Sequence, residues 1–253
     1  MREWLSRCLA AFLTRRVETS LSTSNFESLQ KSLRPGDVLL VDGGTRIAVA
    51  IKYITQSTWS HAALYLGPDA GLPVSDSGEP HVLIEADVEA GIRTLPLSFY
   101  EHDHTRICHP LGLAQPDIDN ISDYARSRIG HQYDMKNVFD LARYLLPVPP
   151  VPSKYRRRML AFGSGDPTRA ICSSFIAQAF QTIRYPILPI IKTLPSDDPR
   201  CLRCKRELFH IRHHSLFTPR DFDSSPYFQV IKPSLSDDFD FRTLDWKEHE
   251  KAG

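Results

Sequence analysis

Trp59-Ser60-His61-Ala62-Ala63-Leu64-Tyr65-Leu66-Gly67 is the stretch on which the reading of this chain turns. An apolar run of this length closed by glycine is a buried strand. Side chains alternate across a strand, so His61, Ala63 and Tyr65 share one face and Ala62, Leu64 and Leu66 the other. The histidine that opens it has two readings, a core or edge residue with a satisfied hydrogen bond or a residue with chemistry to perform.

Before this strand, Leu33-Arg34-Pro35-Gly36-Asp37 punctuates a turn and Val38-Leu39-Leu40-Val41 follows as a short buried strand. Asp42 to Thr45 turns the chain into a helix over Arg46 to Thr55, with Ile47, Ala50, Ile51 and Ile54 on one face. After it, Pro68 to Pro80 is a long turn. His81 to Ala86 returns as a strand with Leu83 and Glu85 on one face, and Gly91 to Leu95 and Thr105 to His109 add two more. Short strands in succession predict a curled antiparallel sheet. Helices follow over Asp117 to Ile129, Asp134 to Leu146 and Thr168 to Ile183. The last carries Ile171, Phe175, Ile176, Ala179 and Phe180 as its apolar stripe. From Arg184 the sequence reads as Pro-rich and irregular until a final strand over Tyr227 to Ile231. Strands first and helices later is the pattern of an α+β domain.

The chain has 253 residues, of which 42% are apolar and 24% charged, with a formal net charge of +1. That suits one sizeable domain with its own core and gives no electrostatic reason to expect a nucleic-acid partner. No apolar run reaches membrane-spanning length. Five cysteines, an odd number unevenly spaced, do not read as a disulfide framework; this predicts a reducing, cytoplasmic setting, or free thiols with separate jobs. Residues 1–32 are expected to be an amphipathic helix and a polar linker over Ser20 to Lys31. Residues 33–233 are the catalytic domain and residues 234–253 a polar tail. In the N-terminal segment Trp4, Leu5, Cys8, Leu9 and Phe12 recur at helical spacing between arginines. That helix either packs on its own domain or a partner, or makes peripheral membrane contact through residues 2–17.

Cys172 opens the segment Cys172-Ser173-Ser174-Phe175 near the start of a predicted helix. A thiol there feels the positive end of the helix dipole, which favours the nucleophilic thiolate; otherwise it is a buried inert cysteine. Glu85 interrupts Val82-Leu83-Ile84-Glu85-Ala86, where a buried carboxylate is costly unless paired. If the strands of His61 and Glu85 are neighbours, one ring nitrogen faces Glu85 and the other a thiol. The carboxylate then fixes the imidazole tautomer and stabilises its charged form. Cys201 and Cys204, with His210, His213 and His214, offer a zinc alternative through Cys201, Cys204, His210 and His214. The spacing to His210 is far shorter than in common zinc modules. His102-Asp103-His104 with His109 reads as a solvated polar group, and Lys154 to Arg158 as a solvated basic face or a contact for anionic lipid or peptidoglycan.

The order Pro35-Gly36-Asp37 with its strand, Trp59 to Gly67, Ile84-Glu85-Ala86, Gly130-His131-Gln132-Tyr133-Asp134 and Ile171 to Phe175 resembles the permuted papain-like amidases. These are the YiiX/YebB-like, circularly permuted branch of the NlpC-type cysteine peptidases, in which the histidine precedes the cysteine. The resemblance spans roughly residues 33 to 231. It implies a permuted papain-like α+β fold with a small antiparallel barrel-like sheet against helices, and a thiol-dependent amidase with no cofactor or metal. By position its Cys–His–carboxylate triad maps onto Cys172, His61 and Glu85. Tyr133 maps onto a tyrosine near the nucleophile, either supporting the oxyanion or packing between helices. The implied substrate is a small molecule, a peptide or a lipid acyl group, and Val138 to Val151 reads as an acyl-chain border or as ordinary packing. A non-catalytic binding module that keeps the pocket is the reading from a different class.

The membrane-surface reading of residues 2–17 makes a prediction. The full-length protein floats with anionic liposomes and a version beginning at Ser20 does not; equal flotation of the two contradicts it.

Overall fold

Val38-Leu39-Leu40-Val41 is apolar without alternation because both faces of its strand are covered. All four side chains are buried in the computed structural model, the pattern of a strand packed on two sides. The structure describes residues 25–87, 90–132, 171–195 and 205–232. The N-terminal amphipathic helix, the helix expected over 134–146, Lys154 to Arg158 and the 234–253 tail lie outside them.

The elements are α1 (Phe26–Ser32), β1 (Val38–Asp42), α2 (Arg46–Thr55), β2 (His61–Tyr65), β3 (His81–Asp87), β4 (Gly91–Pro96), β5 (His104–Pro110), α3 (Gln115–Ser127), α4 (Ile171–Thr182), β6 (Ile190–Pro195), β7 (Lys205–His210), α5 (Pro219–Asp223) and β8 (Phe228–Ile231). Six strands form one sheet in the order β4-β3-β2-β1-β5-β8, and every pair is antiparallel. The sheet is open. Rather than meeting β8, the outer edge of β4 pairs with the segment after α3: Ile92 donates to the His131 carbonyl at 3.0 Å and Gly130 to the Ile92 carbonyl at 2.8 Å. Gly91 permits this approach. It sits at φ +73°, and a Cβ there would lie 2.5 Å from the His131 oxygen. The barrel-like closure expected from the sequence is corrected accordingly, because a covered edge has no need to close.

One face of the sheet, with Leu40, Ala62, Leu64, Ile84 and Ala86, packs against Ile121 and Ala125 of α3 and Phe175, Ile176, Ala179 and Phe180 of α4. The other face, with Leu39, Val41, Ala63, Tyr65 and Leu83, is covered by Leu29, Leu33, Leu97 and Tyr100. The parity expected for β2 therefore holds. Two other expectations do not. The linker over Ser20 to Lys31 is helical from Phe26, capped by the Asn25 side chain, because Leu29 finds an apolar face to cover. The irregular stretch after Arg184 contains the two-stranded sheet β6–β7, in register from Ile190↔His210 to Pro195↔Lys205. Prolines obscured it in the sequence; Pro195 ends its strand, where a missing N–H costs little.

Turns at the head of the fold are fixed by Asp37. Its carboxylate is fully buried and accepts from the Arg34 amide at 2.8 Å and from His109 Nδ1 at 2.6 Å. His109 is thus a structural partner rather than part of a solvated group. Phe180 of α4 meets Tyr185 and Phe228 at ring separations of 5.3 and 5.4 Å. This contact ties the helix that carries Cys172 to the edge strand β8. Phe180→Ala should lower unfolding free energy by about 3–5 kcal/mol, as expected for a fully buried phenylalanine, measured by urea denaturation. A loss below about 1 kcal/mol would show that α4 is held elsewhere.

Candidate active site

β2 and β3 pair at Leu64↔Ile84 and Tyr65↔Leu83. Continued by parity, that register sets Glu85 across from Ala63 and diagonal to His61 on the same face, within reach of a long side chain. His61 Nε2 lies 2.8 Å from Glu85 Oε2. An ionised carboxylate only accepts, so Nε2 carries the proton in this bond and Nδ1 is left for another partner. Glu85 is 1% exposed and the His61 side chain 24%, so the pair runs from the interior towards a partly open imidazole.

Cys172 lies beside the same imidazole. It stands in the first turn of α4, which packs on β2 and β3, and the sulfur is buried within hydrogen-bonding reach of the His61 imidazole. Burial alone would push the thiol up. The His61 charge and hydrogen bond, the Ala62 amide and the Ser173 hydroxyl outweigh it, and hold the thiol below its ordinary value. Burial likewise opposes the imidazolium, but the charges of Cys172 and Glu85 raise His61 well above 6.5. The two groups stabilise each other's charged form. Cys108 is the contrast within the same molecule: fully buried in the core, its thiol is raised by burial.

Glu85 has further partners that sequence reasoning did not single out. Arg93 lies opposite it in the β3–β4 register, donates to Oε1 from Nε at 2.9 Å and pairs ionically with the same oxygen through Nη2 at 2.8 Å. The Tyr100 hydroxyl donates to Oε2. Burial would raise the Glu85 carboxyl, but His61, Tyr100 and Arg93 together hold it at about 2. The parity of Gly91 to Leu95 was a signal available for Arg93; Tyr100 follows β4 in a short 3-10 turn that no periodicity announces.

The structure thus brings Cys172, His61 and Glu85 together. Tyr133 lies outside the described residues, although the segment before it is anchored on β4 through His131. Cys201 and Cys204 lie outside them as well, as does Val138 to Val151. Of the zinc alternative, His210 ends β7, and His214 sits against Gln178 of α4, with Nδ1 3.0 Å from the Gln178 amide nitrogen. Among the described residues no group of three or more His, Cys, Asp or Glu side chains is placed to hold a metal ion. No described helix is long and apolar enough to cross a membrane.

Residues 32–144 match the family described as permuted papain-like amidase enzyme, YaeF/YiiX, C92 family. The matched stretch is thus similar to the permuted papain-like amidases. The match includes His61, Glu85, Arg93 and Tyr100 and ends before Cys172. Among solved structures the chain is similar to the crystal structure of the metalloprotein yiiX of Escherichia coli, at 14% identity and a TM-score of 0.43, covering 78% of this chain and 96% of that one. No curated protein matches the chain.

The Glu85 shift makes a prediction for this amidase-like site. A carboxyl at about 2 in the folded state against an ordinary 4.5 contributes stability above pH 4.5 and loses it as pH falls towards 2. The size is roughly 3 kcal/mol. His61, raised in the folded state, is charged in both states over that window and adds no slope. Unfolding free energy from urea titrations should therefore fall between pH 4.5 and 2 in the wild type and fall less in Glu85→Gln. Parallel slopes in the two proteins contradict the assignment.

Proposed function

We propose that this protein is a thiol-dependent amidase in which Cys172 is the nucleophile, His61 the general acid and base, and Glu85 the group that orients His61. The observation that carries the reading is one chain of contacts: a helix-start thiol beside an imidazole whose other nitrogen is bonded to a buried, ionised carboxylate. The amidase family of residues 32–144 supports the same class of reaction.

The Cys172 thiolate attacks the amide carbonyl carbon and forms a C–S bond. The carbonyl oxygen becomes an oxyanion, which backbone N–H groups of the first turn of α4 are free to bind; Tyr133 is the proposed second donor. As the intermediate collapses, the His61 imidazolium gives its proton to the departing nitrogen and the C–N bond breaks, leaving a thioester. Neutral His61 then takes a proton from water, whose oxygen attacks the thioester carbonyl. The C–S bond breaks, the acid is released, and the thiolate–imidazolium pair is restored. The proposed substrate class is a peptide or N-acyl amide. Hydrolysis or transfer of a lipid acyl group and a non-catalytic binding role are alternative outcomes of the test.

A panel of peptide amides, N-acyl amides and acyl lipids should include at least one compound that the wild type cleaves and Cys172→Ala does not, with a loss of at least about a thousandfold and an unchanged melting temperature. Acid-quenched wild type should carry the acyl group on the Cys172 peptide by mass spectrometry. Full turnover by Cys172→Ala on that compound refutes the mechanism, and turnover of acyl lipids alone moves the substrate class.

A further inference from the structure

Glu85 is bonded on both of its oxygens, and only one of the bonds comes from His61. Oε1 accepts from Arg93 Nε at 2.9 Å and forms an ion pair with Nη2 at 2.8 Å. Oε2 accepts from His61 Nε2 at 2.8 Å and from the Tyr100 hydroxyl. The partners reach the carboxylate from three different elements, β2, β4 and the turn Leu97–Tyr100. Cys172 of α4 faces His61 from its other side, and Asp87 lies 3.4 Å from Arg93 Nη2. Among these groups Arg93 supplies the cation that does not titrate in the working range.

Each partner does something the others cannot. The guanidinium sets a hydrogen bond from Nε and the ion-pair contact of Nη2 on the one oxygen, Oε1, which anchors that side of the carboxylate and balances its charge. The guanidinium is itself held, with the Phe99 ring centroid 5.3 Å from its carbon and Asp87 3.4 Å from Nη2. The Tyr100 ring lies 6.3 Å from the His61 ring, and its hydroxyl proton is given to Oε2. A phenol has one proton, so this bond removes Tyr100 as a donor to the oxyanion and makes it a support of the carboxylate. Without these contacts Glu85 would be a carboxylate almost fully out of water with one hydrogen bond, and such a group is neutralised or turns away.

We propose that Arg93 and Tyr100 are positioning residues of the amidase reaction: they pin both oxygens of Glu85, so that Oε2 stays aimed at His61 Nε2 and His61 turns its remaining nitrogen to Cys172. The inference rests on the reading of Cys172 and His61 given above. Neither residue touches the reacting atoms, and their effect passes through Glu85 to His61. Removing Arg93 lets Glu85 take a proton more easily. His61 then loses its charged partner, and the Cys172 thiolate is reprotonated at a higher pH.

The test is the pH dependence of Cys172 alkylation by iodoacetamide, followed on the Cys172 peptide, in the wild type, Arg93→Met, Arg93→Lys and Tyr100→Phe. Melting temperatures are measured alongside. Arg93→Met should raise the midpoint by about one pH unit. Arg93→Lys, which restores the charge without the Nε hydrogen bond, should recover part of that shift, and Tyr100→Phe should give a smaller rise. If the wild-type midpoint is low and all folded variants share it, Arg93 and Tyr100 have no positioning role while the amidase reading stands. A wild-type midpoint like that of a free thiol overturns both. Should Arg93→Met fail to fold, Arg93→Lys and Tyr100→Phe, which keep most of the volume, decide the question in the same way.

Discussion

A single hydrogen bond, from His61 Nε2 to Glu85 Oε2, joins two strands at the place where their pairing ends. Much of the structure can be understood as what that bond requires. It needs a carboxylate kept ionised at 1% exposure, against a desolvation cost that would otherwise protonate it. It needs β2 and β3 in a register that leaves both side chains on one face. It also needs α4 to bring a thiol to the other side of the ring. The core on one face of the sheet holds α4 in place through Phe175, Ile176, Ala179 and Phe180, and the core on the other face holds Tyr100 against Glu85. The two hydrophobic layers thereby deliver the two ends of one polar chain.

The same logic separates the two cysteines within the described residues. Both are buried. Cys108 points into the core and burial raises its thiol, whereas Cys172 has an imidazolium, an amide and a hydroxyl to favour its thiolate, and its thiol is lowered. Burial is therefore a poor guide to reactivity when taken alone; the charges within reach decide it.

The sheet and the site were legible in the sequence to different depths. Alternation gave the face of His61 within Trp59 to Gly67 and of Glu85 within His81 to Ala86, and an acid in an apolar run must be paired; that the two faces match depends on the β2–β3 register, which the structure supplies. Arg93 was readable by the same parity, opposite Glu85 in the β3–β4 register. Tyr100 was not, since the turn that carries it has no repeat to read. Nor was the open edge of the sheet, which depends on a backbone pairing between Ile92 and His131 across an intervening strand and helix. The β6–β7 ladder was hidden by prolines that read as breakers and here bound its strands. Phe26 to Ser32 read as linker because a short amphipathic segment looks polar until something apolar lies beneath Leu29.

The claim at the centre of this account is that Cys172 and His61 exist as a thiolate–imidazolium pair, held by Glu85. The most direct measurement is the ultraviolet thiolate absorbance of the wild type against Cys172→Ser across pH, repeated with His61→Ala on both backgrounds. The account predicts a Cys172-specific thiolate that persists well below pH ~8.5, the value of an unperturbed thiol, and that disappears when His61 is removed. A Cys172 signal that appears only near that ordinary value, or that is unchanged by the loss of His61, would contradict it.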